Sequence, residues 1–72
     1  MTTEQTLTLC EALPAEMARV RDELIPAYMA VPNGSYAVSM MRADLNYAAR
    51  TSAEGDVVGM IQAYTRLKEY NL

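Results

Sequence analysis

The apolar residues Cys10, Leu13, Met17, Val20, Leu24 and Tyr28 recur at alternating steps of three and four positions, the period of one stripe running along a helix. Two prolines fall inside that stripe without disturbing its phase. Each lacks the N–H that a helix interior uses, and an interior proline costs about 3 kcal/mol. Kinks are therefore expected at Pro14 and/or Pro26, or two nearly collinear helices with Pro14 opening the second. The pattern stops only at Val31-Pro32-Asn33-Gly34, where every residue after the valine favours a turn. The first predicted helix thus runs from about Thr3 to about Ala30.

Ser35 is placed to cap a second helix, which carries Val38, Met41, Leu45, Ala48 and Ala49 on one face and ends at Thr51 or Ser52. Gly55 suits the left-handed residue after that helix, and Asp56 suits the cap of the next. The third helix, from about Asp56 to about Tyr70, buries Val57, Met60, Ile61, Tyr64 and Leu67. It carries Arg66 and Lys68 in its last turns, where the helix dipole favours cations. The expected fold is all-α, one domain over residues 1–72, with three antiparallel helices and a long first one.

A chain of 72 residues removes only about 60% of its unfolded surface from water and needs a disulfide, a metal or a partner subunit to supplement its core. Cys10 is the one cysteine and there is no histidine, so neither a disulfide framework nor a zinc site is expected. A partner subunit remains. At 1.5 Å per residue the first helix would reach about 40 Å against about 20 to 25 Å for the other two. Part of its stripe would then be uncovered in a monomer, and a homodimer is expected on both counts.

Composition narrows the function classes. Nine acidic and six basic residues give a net charge of -3, which repels nucleic acid and anionic lipid and leaves protein as the expected partner. No apolar run approaches the roughly 18 residues of a membrane span. The start, Met1-Thr2-Thr3-Glu4-Gln5, has neither the basic nor the apolar stretch of a secretory signal, and an unpaired cysteine suits a reducing compartment, so a cytoplasmic location is expected. Without histidine, and with carboxylates paired closely only at Asp22-Glu23 and Glu54/Asp56, no catalytic residue, cofactor, metal or small-molecule substrate is expected, and the chain reads as a non-enzyme. Cys10, in phase with the stripe, reads as a buried inert thiol.

The second helix carries more than a core face. Tyr36, Met40, Ala43 and Tyr47 form a second stripe within an arc of about 60°, some 150° from the first. Arg42, Asn46 and Arg50 line one edge of it and Asp44 lies towards the other. Tyrosine and arginine around a flexible methionine are what interface hot spots are enriched in. Tyr36, Met40, Arg42, Ala43, Tyr47 and Arg50 are therefore the candidate protein-binding residues. The same two-faced helix would also serve as the middle layer of a dimer in a purely self-associating structural module. Ala48, Gly55 and Tyr64 place the second and third helices beside a tetratricopeptide-type hairpin, although one hairpin forms no solenoid. A DNA-reading helix-turn-helix is disfavoured, since the third helix offers only Gln62, Arg66 and Lys68 near its outer surface.

Three stretches carry a family resemblance: Glu23-Leu24-Ile25-Pro26-Ala27-Tyr28, Met41-Arg42-Ala43-Asp44-Leu45, and Ala53 through Tyr64. With them the chain resembles small early proteins of transposable bacteriophages that infect Pseudomonas-like hosts. That resemblance implies a helical host-takeover factor, either a quorum-sensing anti-activator that binds a LuxR-type regulator or an inhibitor of the pilus-assembly ATPase. No binding residue of that group is transferred to this chain.

Overall fold

A computed structural model describes residues 3–71, with side chains from Thr8 onward. The described residues form three helical stretches and no strand. The first stretch is α1 (Thr3–Arg19), a single π-helical turn (Val20–Leu24) and α2 (Ile25–Met29), followed by α3 (Ser35–Glu54) and α4 (Val57–Lys68). The molecule measures 43 × 17 × 15 Å, its long axis close to the roughly 40 Å that the first stretch needs at 1.5 Å per residue.

The interruption in the first stretch falls before Pro26. Pro14 lies inside α1 with helical backbone on both sides, so it does not open a second helix. In the π turn the Ile25 N–H donates to the Val20 carbonyl, five residues back. A proline ring collides with the carbonyl four residues earlier. For Pro26 that carbonyl belongs to Asp22, inside the wider turn, where it need not point at position 26.

Leu13, Val20, Leu24 and Ile25 are buried, and Met17 and Tyr28 pack partly buried against them. Cys10, expected in this stripe, is exposed, and Leu9 is buried in its place. Adjacent helical residues point about 100° apart. Along this part of the chain α1 rests mainly on α4, and Leu9 is the one of the two that turns inward.

The corner between α2 and α3 is built on Gly34. A Cβ added there would lie 1.7 Å from the Tyr28 carbonyl oxygen and 3.0 Å from Val31 Cγ2, so only glycine permits this approach. Gly34, rather than Ser35, occupies the cap position of α3, and no side chain caps the helix. Ser35 is already the first helical residue, because the turn bonds Gly34 N–H to Val31 O and Val38 N–H to Gly34 O lead straight into it.

The other junction is tighter. Gly55 takes φ 67° at the end of α3, and the Asp56 side chain accepts the Gly59 N–H at 3.0 Å to cap α4. Val38, Met41, Ala48, Met60, Ala63 and Leu67 are buried. Two positions expected inside lie outside: Ala49 is exposed and Ile61 is 38% exposed. Ala63 and Gly59, small enough for close helix contact, are buried instead. Thr51 is buried too, its hydroxyl donating to the Ala48 carbonyl.

Helix α4 packs on α1 and α3, whereas α2 packs mainly on α3 and on the π turn before it. Past Lys68, residues 69–71 are tied to the rest by side chains. Arg19 Nη2 donates to the carbonyls of Leu67 (3.1 Å) and Tyr70 (3.0 Å) while its Nε pairs with Glu16 at 3.0 Å. A guanidinium at these terminal carbonyls satisfies acceptors that a helix end leaves unpaired. The Tyr28 hydroxyl donates to the Asn71 carbonyl.

Candidate functional site

The second stripe of α3 divides in two. Tyr36 and Met40, one turn apart, are 74% and 45% exposed, and Ala43 beside them is exposed. Tyr47, one turn further on, is half-buried because α4 lies beside it. Its hydroxyl donates to Gln62 Oε1 at 2.8 Å, and its ring lies under the Arg66 and Arg50 guanidiniums at 4.9 and 5.4 Å. The end of α3 nearer Gly34, with no third helix over it, leaves its outer side chains open. The other end engages its tyrosine within the chain.

The flanking charges separate in the same way. Asp44 turns inward and accepts the Tyr70 hydroxyl at 2.6 Å, with Arg66 Nη1 at 3.8 Å. Burial first, and then this hydrogen bond to a carboxylate, push the Tyr70 phenol up to about 12. Asp44 therefore fastens the C-terminal segment. Arg42 leaves the stripe on the opposite flank, where its Nη2 lies 4.0 Å from Met29 Sδ. Asn46 and Arg50 are exposed.

Sequence periodicity missed two surfaces. Met29 and Val31, at the end of the first stretch and in the turn, are 63% and 51% exposed and form one wall of a groove whose other side is α3. On α4, Val58 is 65% exposed and Ile61 38%. The stretch from Tyr28 to Val31 carries the first signal that the stripe outruns its cover, since α4 ends before reaching it. Nothing local in the sequence points to the pairing of Asp44 with Tyr70.

Asp22 is exposed and bonded to Arg21 at 2.9 Å, and Asp56 is engaged as a cap. No group of three or more histidine, cysteine, aspartate or glutamate residues able to hold a metal is present among the described residues. No helix among them is long and apolar enough to cross a membrane. What the α3 region offers chemically is contact area: aromatic and thioether surface with a phenol and a guanidinium at its margins. The fold defines an all-helical protein, and beyond that class no protein-family model, curated protein or solved structure matches the chain.

Proposed function

We propose that this chain is a non-enzymatic binding protein that inhibits another protein by occupying its surface through the outer face of α3. The observation that carries the proposal is the exposure of Tyr36 (74%) and Met40 (45%) one helical turn apart, with Ala43 leaving room for a partner's backbone beside them. Large, adaptable side chains presented together are the usual anchors of protein recognition. The net charge of -3 favours a target with a basic or apolar patch over nucleic acid. The resemblance to phage host-takeover proteins supplies the targets to test first, a LuxR-type regulator and the pilus-assembly ATPase of a bacterial host, in the host cytoplasm.

Self-association is a second reading, favoured by Val58 and Ile61 on the outer side of α4 and by a core too small to dispense easily with a partner subunit. The two readings are compatible if the copy takes the α4 side and the target takes the α3 side.

The test is co-purification of the purified regulator or ATPase with the wild-type chain and with Tyr36→Ala/Met40→Ala, alongside light scattering. Retention by the wild type and loss by the variant, with the oligomer unchanged, supports target binding. Loss of the oligomer in the variant assigns the face to self-association, and retention by both proteins refutes the assignment to α3.

A further inference from the structure

The corner where α2 meets α3 holds an open groove of about 320 Å³, on the flank of α3 away from Tyr47 and α4. Val38, only 5% exposed, lies at its base, while Met29 and Val31 stand 63% and 51% exposed beside it. Pro32 adds an apolar edge and Arg42 lies across one end.

The charges around this groove are unlike those elsewhere in the molecule. Between Glu23 and Asp44 the sequence has no acidic residue, and Arg42 is its one basic residue. The other five cations are each engaged within the chain. Arg19, Arg21 and Arg66 pair with Glu16, Asp22 and Asp44, and Arg50 and Lys68 lie over tyrosine rings. Among the described residues, Arg42 has only a thioether sulfur at 4.0 Å. A guanidinium that makes no ion pair among the described residues, at the end of a trough lined by Met29, Val31, Pro32 and Val38 with Ser35 and Ser39, is complementary to an apolar side chain followed by a carboxylate.

We propose that this groove docks an amphipathic segment of a partner protein, its apolar side chain seated over Val38 between Met29 and Val31 and a single carboxylate on Arg42. The trough between the end of one helix and the start of the next suits a helical segment whose anchor and acid are three or four positions apart. An isolated carboxylate fits better than an acidic run, which the chain's net charge of -3 would repel. An anionic membrane is disfavoured on the same ground, since one cation contributes little to binding a lipid surface. The inference stands apart from the assignment of Tyr36 and Met40, which lie on a different side of α3.

The experiment pans a display library of random helical peptides on the immobilised full chain. The best-enriched peptide is then titrated into isotope-labelled protein and followed by amide chemical shifts. Enrichment of peptides with a carboxylate three or four positions from a large apolar residue is expected, with shifts centred on Val31, Ser39 and Arg42. Arg42→Gln should weaken that peptide by about tenfold, the loss of one charge-assisted hydrogen bond. Arg42→Glu should turn the enrichment towards basic peptides, and Lys68→Gln should leave it unchanged. Because Arg42 is exposed, both of its variants should keep the wild-type circular dichroism spectrum. The proposal is overturned if no peptide is enriched, if the enriched peptides lack a carboxylate or bind elsewhere, or if phosphatidylglycerol vesicles bind in an Arg42-dependent way while peptides do not. None of those results alters the Tyr36/Met40 co-purification test.

Discussion

Gly34→Ala should be among the most disruptive single-methyl additions in this chain, and its size follows from the corner geometry. The new Cβ would begin 1.7 Å from the Tyr28 carbonyl oxygen. An ordinary carbon–oxygen contact needs about 3.3 Å, so the last turn of α2 and the first of α3 must separate by about 1.6 Å. The obstacle is backbone, which cannot swing aside as a side chain tip can. Overpacking of this kind costs about 1 to 3 kcal/mol, against a gain of about 0.4 to 1 kcal/mol from stiffening the unfolded chain at a backbone conformation alanine tolerates. The φ of -82° at Gly34 is open to any residue, so the net loss, about 1 to 2 kcal/mol, is wholly steric.

Gly55 is the control with the opposite cause. It has nothing within 4 Å of an added Cβ but sits at φ +67°, where alanine pays about 1 kcal/mol in torsion alone. Asparagine tolerates the left-handed region, so Gly55→Asn should recover most of the loss of Gly55→Ala. Gly34→Asn should be no better than Gly34→Ala. Thermal unfolding of the four variants measures this, with a melting shift of about 4 to 8 °C expected per kcal/mol in a domain of this size. A Gly34→Ala protein as stable as wild type, or a Gly34→Asn variant more stable than Gly34→Ala, would refute the steric account.

Two further outcomes follow from side chains outside the α2–α3 corner. Tyr70→Phe should cost about 1 kcal/mol at neutral pH by leaving Asp44 without its hydroxyl donor. With the Tyr70 phenol at about 12 in the fold against about 10 unfolded, the folded state holds the proton more tightly. The Tyr70 contribution is therefore complete below pH about 10 and disappears as pH rises towards about 12, so the stability difference between wild type and Tyr70→Phe should shrink across that window in denaturation curves; a constant difference would count against the Asp44 contact. Cys10, exposed on α1, should react with a thiol reagent in native buffer nearly as fast as in urea, and protection in the native protein would place it in an interface.

Much of the helical layout is legible in the sequence because it rests on local chemistry: the three-four spacing from Leu13 to Leu24, the turn at Pro32-Asn33-Gly34, and the Gly55-Asp56 junction. Positions such as Met41, Ala48, Met60 and Leu67 follow from the same periodicity. What periodicity cannot carry is which helix covers which part of the stripe. Leu9 and Cys10 are both apolar by type, and the line of α4 sets which of the two turns inward. Ile61 falls within the apolar arc of α4 yet lies at its uncovered margin. Ser35 has the chemistry of a cap, but the close approach of Gly34 to Tyr28 begins the helix one residue too early for it to act. For the candidate site, the Tyr36–Met40 pair was readable from helical phase. The turning of Tyr47 onto Gln62 and Arg66, and of Asp44 onto Tyr70, depends on residues far along the chain.

The π turn gives the far end of the molecule its rotational setting. It is in effect one surplus residue stored within an otherwise regular helix, and each helical residue contributes about 100° of rotation. Were the same residues wound as a uniform α-helix, with none removed, everything beyond the turn would swing by about that angle. Tyr28 would leave the Asn71 carbonyl and Met29 would leave Arg42, so the C-terminal fastening and the groove wall would be lost together although neither had been mutated. The winding of that short stretch, and not only its composition, is thus under constraint.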